Sequence, residues 1–172
     1  MFKWINYIIG FFILIFTQAV ILNHLDLGGY INPYLYILFL LVLPFETPKW
    51  LLLVLGFLLG ITLDAFTDTL GIHASACVFL AAIRPRFLKL LAPRDGYEIG
   101  QTPSIQSMGL NWFIKYAAIL TLLHHFWLFT IEGFRLNLFF LNFGRTILSS
   151  IFTVLLMILV QYLTHKSKRT SY

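Results

Sequence analysis

Charge is scarce in this chain. Asp, Glu, Lys and Arg make up 11% of its 172 residues, against about 25% in a soluble domain. Hydrophobic residues reach 59% and the mean hydropathy is +0.85, which is the composition of an integral membrane protein with no room for a separate soluble domain. Cysteine is nearly absent. The single Cys77 excludes an intramolecular disulfide, and its apolar flanks make it a small buried hydrophobe. Acids are fewer than bases, giving a formal net charge of +5. The basic residues flank apolar runs, which points to membrane topology rather than to nucleic acid. The phosphate-binding glycine loop, the metalloprotease His-Glu pattern and the serine elbow are all missing. The sequence therefore offers no catalytic constellation, no metal motif and no cofactor motif.

What is present is a series of apolar runs. They predict an all-α membrane protein with six transmembrane helices, at 4–22, 33–45, 48–66, 71–84, 111–131 and 138–163. Lys3 before the first run resembles a signal peptide. The run is too long for that, and Gln18 stands where a cleavage site wants small residues, so it reads as an uncleaved helix. The second run has Asn32 as a natural N-cap and Pro33 in the first turn. As a helix it reaches only ~20 Å against a hydrocarbon core of ~30 Å. It must borrow Tyr30 and Ile31, thin the bilayer, or be broken. Thr47-Pro48 opens the third helix in the same cap-then-proline manner. The fourth is expected to end or kink at Arg84-Pro85-Arg86, followed by a short interfacial piece at 87–91. The polar stretch 92–110 is long enough to be either functional or disordered.

Six helices place both termini on one side. Ten of the twelve Lys and Arg fall on that side, in Lys3, Lys49, the group from Arg84 to Lys115, and the tail Lys166, Lys168 and Arg169. Only Arg135 and Arg145 fall on the other. The positive-inside rule makes the first side, and with it both termini and the 92–110 loop, cytoplasmic.

Several residues stand out within the runs. Gly56, Gly60 and Asp64 are spaced four apart and form one helical stripe. Two glycines there let another helix approach closely, and the stripe serves either an internal pair or a partner's helix. Asp64 reads either as a polar end in the outer interface or as a functional intramembrane acid. Asp64 and Asp68 form an i, i+4 acidic pair, for which a water-facing helix end is the plainer account. His24, His73, His124 and His125 lie toward the outer side with Asp26, Asp64 and Asp68. Their spacing matches no metal pattern, and interfacial histidines with solvated partners account for them. Arg145 lies about one turn inside the sixth run, where an unpaired charge is costly. It is expected to pair with Asp64, Asp68 or Glu132.

The combination Gly56-xxx-Gly60-xxx-Asp64, then Thr69-Leu70-Gly71-Ile72-His73-Ala74, then Arg84-Pro85-Arg86 in a chain of this length resembles the rod shape-determining protein family MreD. The Leu-Gly-Ile-His step and the loop opening Pro93-Arg94-Asp95-Gly96 are most similar to its Bacteroidetes branch. Gly71, His73, Arg84 and Pro85 carry the resemblance beyond the glycine stripe. Most members have other residues where Thr67-Asp68-Thr69 stand. The resemblance implies a non-enzymatic subunit of the cell-elongation (rod) complex, beside the bitopic protein MreC and near MreB, the peptidoglycan polymerase RodA and its transpeptidase partner. It also implies a fold similar to the S components of energy-coupling factor transporters. That similarity supplies the alternative, a vitamin-binding membrane subunit.

Overall fold

The computed structural model describes residues 2–25, 28, 31–133 and 139–164. Asp26, Tyr30, Arg135 and the basic tail with Lys166, Lys168 and Arg169 lie outside the described residues. The described chain is helical, without strands among the described residues. Helix α1 (Phe2–Phe16) continues through a π turn (Thr17–Ile21) and a 3-10 turn (Leu22–His24). A 3-10 turn (Leu35–Ile37) leads into the short α2 (Leu38–Leu41). Then come α3 (Lys49–Thr67), α4 (Ile72–Leu90), the short α5 (Ile105–Met108), α6 (Leu110–Glu132) and α7 (Phe139–Leu163). Among the described residues, four stretches are long and apolar enough to cross a membrane: Ile5–His24, Lys49–Thr67, Leu110–Glu132 and Asn142–Leu163.

Three expectations need correction. The run at 33–45 is not a continuous helix: residues 31–34 are non-helical and only 35–41 are helical. Asn32 and Pro33 therefore do not cap or open a helix. Nor does this run face lipid, since every residue from Tyr34 to Leu41 is buried. Non-helical backbone covers up to ~3.3–3.6 Å per residue against 1.5 Å in a helix, so this run reaches further than a helix of the same length. The second correction is α4. It neither ends at Arg84 nor hands over to a separate piece, but runs through Pro85 to Leu90. Third, α3 starts at Lys49 with Pro48 before it and no side-chain cap. Thr47 Oγ1 instead donates to Pro44 O at 2.7 Å.

Helix α3 packs along α4, α4 against α6, and α6 against α7, while α1 makes lighter contact with α2 and α3. The glycine stripe explains how close α3 and α4 come. A Cβ at Gly56 would lie 2.9 Å from Cys77 O, and one at Gly60 would lie 2.5 Å from both Ala74 N and His73 O. The stripe is thus used inside the chain. The 92–110 loop is folded against one end of the bundle. Tyr97 stacks on Phe45 with ring centroids 3.8 Å apart and donates to Leu88 O at 2.7 Å. Burial pushes its phenol pKa up to about 12. Gly100 N donates to Glu46 Oε1 at 2.6 Å, and Ile105 N to Gln161 Oε1 at 3.3 Å.

Candidate functional site

The buried segment 31–44 is the centre of the molecule. Its backbone lacks helical partners over residues 31–34 and again after α2, and buried amide and carbonyl groups need partners. Side chains from the surrounding helices supply them. At the end away from the 92–110 loop, Asn32 N donates to Ser149 Oγ at 2.9 Å and Tyr34 N to Thr153 Oγ1 at 3.0 Å. Gln18 Nε2, from the π turn, donates to Pro33 O at 3.0 Å. Gln18 is buried, so its polarity serves the interior.

At the loop end, Arg84 closes the segment. It is the largest fully buried side chain. Its Nη2 donates to Leu41 O at 3.4 Å and also to Leu43 O, while Nε donates to Tyr116 Oη at 2.9 Å. Tyr116 in turn donates to Leu41 O at 3.0 Å. These are the free carbonyls at the C-terminus of α2, where a cation is favoured. The same contacts anchor α4 beside Pro85, where the ring removes one helical hydrogen bond.

Between these ends lies a group of rings. Tyr36 Oη meets His73 Nδ1 at 3.0 Å and His124 Nε2 at 3.2 Å. One hydroxyl proton serves one imidazole, so the other ring must donate, and the two histidines hold complementary roles. His125 Nδ1 donates to Thr121 O at 2.8 Å. Its Nε2 lies 3.1 Å from Thr153 Oγ1, whose proton also faces Ser149 O at 2.7 Å. Tyr34 packs its ring against His73 and His125, with centroids 5.3 and 5.2 Å away. His73, His124 and His125 are all buried, which corrects their reading as solvated interfacial residues. His24 is exposed at the end of α1. Among the described residues no three of His, Cys, Asp and Glu gather where a metal ion would sit.

Asp64 is not at a water-facing helix end. It is 3% exposed and accepts from His73 N at 3.0 Å, Ala74 N at 2.9 Å and Thr69 Oγ1 at 2.6 Å. Gly71, in the left-handed region at φ +82°, precedes α4 and has no side chain to cap it. The carboxylate of α3 takes that role and also meets the positive end of the helix dipole. Gly60 and Asp64 thus act together: one admits the first turn of α4, the other binds it. Asp68 is exposed and closes α3 in the left-handed conformation at φ 53°.

Arg145 is separate from Asp64 and Asp68. It donates to Glu132 Oε2 at 3.1 Å, and its guanidinium lies 4.2 Å from the centre of the Phe129 ring. With its amide oriented to satisfy both partners, Asn32 Oδ1 accepts from Arg145 Nε at 3.1 Å and Nη2 at 2.9 Å. Arg145 therefore joins α6, α7 and the start of the buried segment.

The residues that sequence reasoning missed are Gln18, Tyr34, Tyr36, Tyr116, Ser149 and Thr153. Their signal was polar side chains four apart inside apolar helices, as in Ser149/Thr153 and Thr121/His125. Comparison of the chain with family models, curated proteins and solved structures finds no match.

Proposed function

We propose that this chain is a non-enzymatic, multi-pass subunit of the bacterial cell-elongation complex, of the MreD type, acting by binding an MreC-like bitopic partner near MreB, RodA and its transpeptidase. In this reading it crosses the inner membrane six times with both termini cytoplasmic. Five passes are the long helices α1, α3, α4, α6 and α7, and the sixth is the buried segment 31–44. The orientation is supported by Lys49, Arg86, Lys89, Arg94 and Lys115, which belong to the end where the 92–110 loop folds, while Arg145 belongs to the other.

The observation that carries the reading concerns the residues of the resemblance. Gly56, Gly60, Asp64, Gly71, His73 and Arg84 all fall on the α3–α4 hairpin, and their contacts hold that hairpin together or tie it to the buried segment. Most interior polar groups are directed at backbone and at each other; Gln18 Oε1, Arg84 Nη1, His124 Nδ1 and Ser150 Oγ are buried without a hydrogen-bond partner. What the chain presents outward is apolar, including Phe12, Phe57, Ile151 and Leu155. A protein built this way works through its surfaces. Depletion in the native host is expected to round up elongated cells, and the protein is expected to co-purify with a bitopic partner.

One observation favours a second reading, a small-molecule-binding subunit like an energy-coupling factor S component. A cleft of ≈ 950 Å³ opens between α1, the end of the buried segment and the 92–110 loop, within the usual range for ligand sites. Unchanged cell shape together with loss of vitamin uptake would falsify the elongation reading and establish this one.

A further inference from the structure

The same cleft has a chemistry of its own. Its apolar wall includes Leu14, Phe39 and Leu51. Tyr7, Phe39 and Leu51 also line a groove of ≈ 300 Å³ between α1 and α3, which continues past Phe12 and Leu58 and has no charged lining residue among those described. At the other side the cleft meets a polar recess with Thr102, Gln106 and Gln161. Cleft and groove together form an amphiphilic trough, polar at the loop end and apolar along the helices. Glu46 is the one charged side chain among the described residues that line it, although the chain as a whole carries +5. Its Oε1 accepts from Gly100 N. Arg84, whose charge also reaches Tyr7, is buried and held by Leu41 O, Leu43 O and Tyr116 Oη, so the carboxylate is the charge an incoming headgroup meets at the rim. An ammonium group would be attracted, and the amides of Asn6 and Gln106 at the same rim can donate to a phosphate.

We propose that this trough binds a membrane phospholipid whose headgroup carries a primary amine, with the ammonium at Glu46 and an acyl chain in the α1–α3 groove. The proposal is independent of the elongation reading, since it concerns what lies against α1 and not what the protein does to cell shape. The test is native mass spectrometry of the purified full chain, delipidated and offered equal amounts of palmitoyl-oleoyl phosphatidylethanolamine and phosphatidylglycerol. The ethanolamine lipid is expected to be retained about fivefold better. Glu46→Gln keeps a side-chain oxygen for Gly100 N and is expected to remove the preference while leaving the thermal midpoint unchanged. Gly10 lines the cleft, and a Cβ there meets nothing within 4 Å. Gly10→Trp is therefore expected to fill the space and release both lipids from a normally folded chain. Glycerophosphoethanolamine, which has the head without the chains, is expected not to be retained. Equal retention of the two lipids by the unmodified chain, a preference that survives Glu46→Gln, undiminished retention in Gly10→Trp, or retention of the soluble headgroup would each overturn the proposal.

Discussion

Replacing Gly60 by alanine adds one methyl group at the tightest point between α3 and α4. That Cβ would sit 2.5 Å from Ala74 N and His73 O, closer still to Ala74 Cα, and all three atoms are backbone. No side chain can swing away, so the first turn of α4 must retreat by about 1 Å to reach ordinary contact. The same turn is held by Asp64, through bonds of 3.0 Å to His73 N and 2.9 Å to Ala74 N. A retreat of that size lengthens and weakens both. Overpacking costs about 1–3 kcal/mol and each charge-assisted bond contributes about 1.5–3 kcal/mol, so partial loss of both bonds gives roughly 3–6 kcal/mol. In a chain of this size that lowers the unfolding midpoint by at least about 6 °C. The assay is thermal unfolding of purified protein in detergent, with Gly10→Ala as the control, because Gly10 has open space around it. Gly56→Ala should fall between the two, its nearest atoms being Cys77 O at 2.9 Å and Ala81 Cβ at 3.1 Å. A Gly60→Ala protein that unfolds within about 2 °C of the parent would refute the reasoning. The stripe would then not be the close internal contact described here.

Asp64→Asn keeps one acceptor oxygen but loses the charge that faces the start of α4, and its midpoint is expected to drop by the equivalent of about 1–3 kcal/mol, read in the same detergent assay. Arg84→Met leaves the Leu41 and Leu43 carbonyls without their guanidinium, so accumulation in membranes is expected to fall sharply; Tyr116→Phe, which removes the bond to Leu41 O and leaves Arg84 Nε without its acceptor, is expected to cost about 2–4 kcal/mol. Thr153→Val preserves shape but orphans Tyr34 N, and a loss of about 1–3 kcal/mol is expected on unfolding; an unchanged midpoint would remove Thr153 from the account. Arg145→Glu is expected to lower accumulation by setting two acids together, and Glu132→Arg in the same chain is expected to restore it. Arg145→Ala should cost less, since the pair is partly exposed at 22% and 39% and such bridges are worth about 1 kcal/mol or less.

The long helices were legible because their signal is local. An apolar run of about twenty residues reads as a span whatever surrounds it, and α6 and α7 fall within about two residues of the expected bounds. The close α3–α4 contact was legible as a possibility, since Gly56 and Gly60 share a face. Their spacing did not say whether the face met this chain or a partner. Asp64 was harder. Its role depends on Gly71, whose missing side chain leaves the first turn of α4 uncapped, and on a reversal that brings residues nine and ten positions away within 3 Å. The reading of α4 as ending at Arg84 followed the local rule for residues before proline. The rule was overridden by contacts to residues more than thirty positions away, which sequence order does not reveal.

The buried segment shows why the histidines were misplaced. Each was judged as a polar residue near the end of an apolar run, and on that ground water was its natural partner. The missing consideration was demand. A run bounded by Pro33 and Pro44 is too short to cross as a continuous helix, and breaking into non-helical backbone is one way out. Non-helical backbone at membrane depth is tolerated only where protein surrounds it and satisfies its polar groups. That requirement calls for hydroxyls, amides, imidazoles or guanidinium groups inside the neighbouring helices. The sequence holds them at Gln18, Arg84, Tyr116, Ser149 and Thr153. Polar residues inside otherwise apolar helices and a proline-bounded run too short to span are therefore two halves of one signal. Either half alone suggests a ligand site or an interface. Taken together they indicate that most of these polar side chains serve segment 31–44 of the same chain.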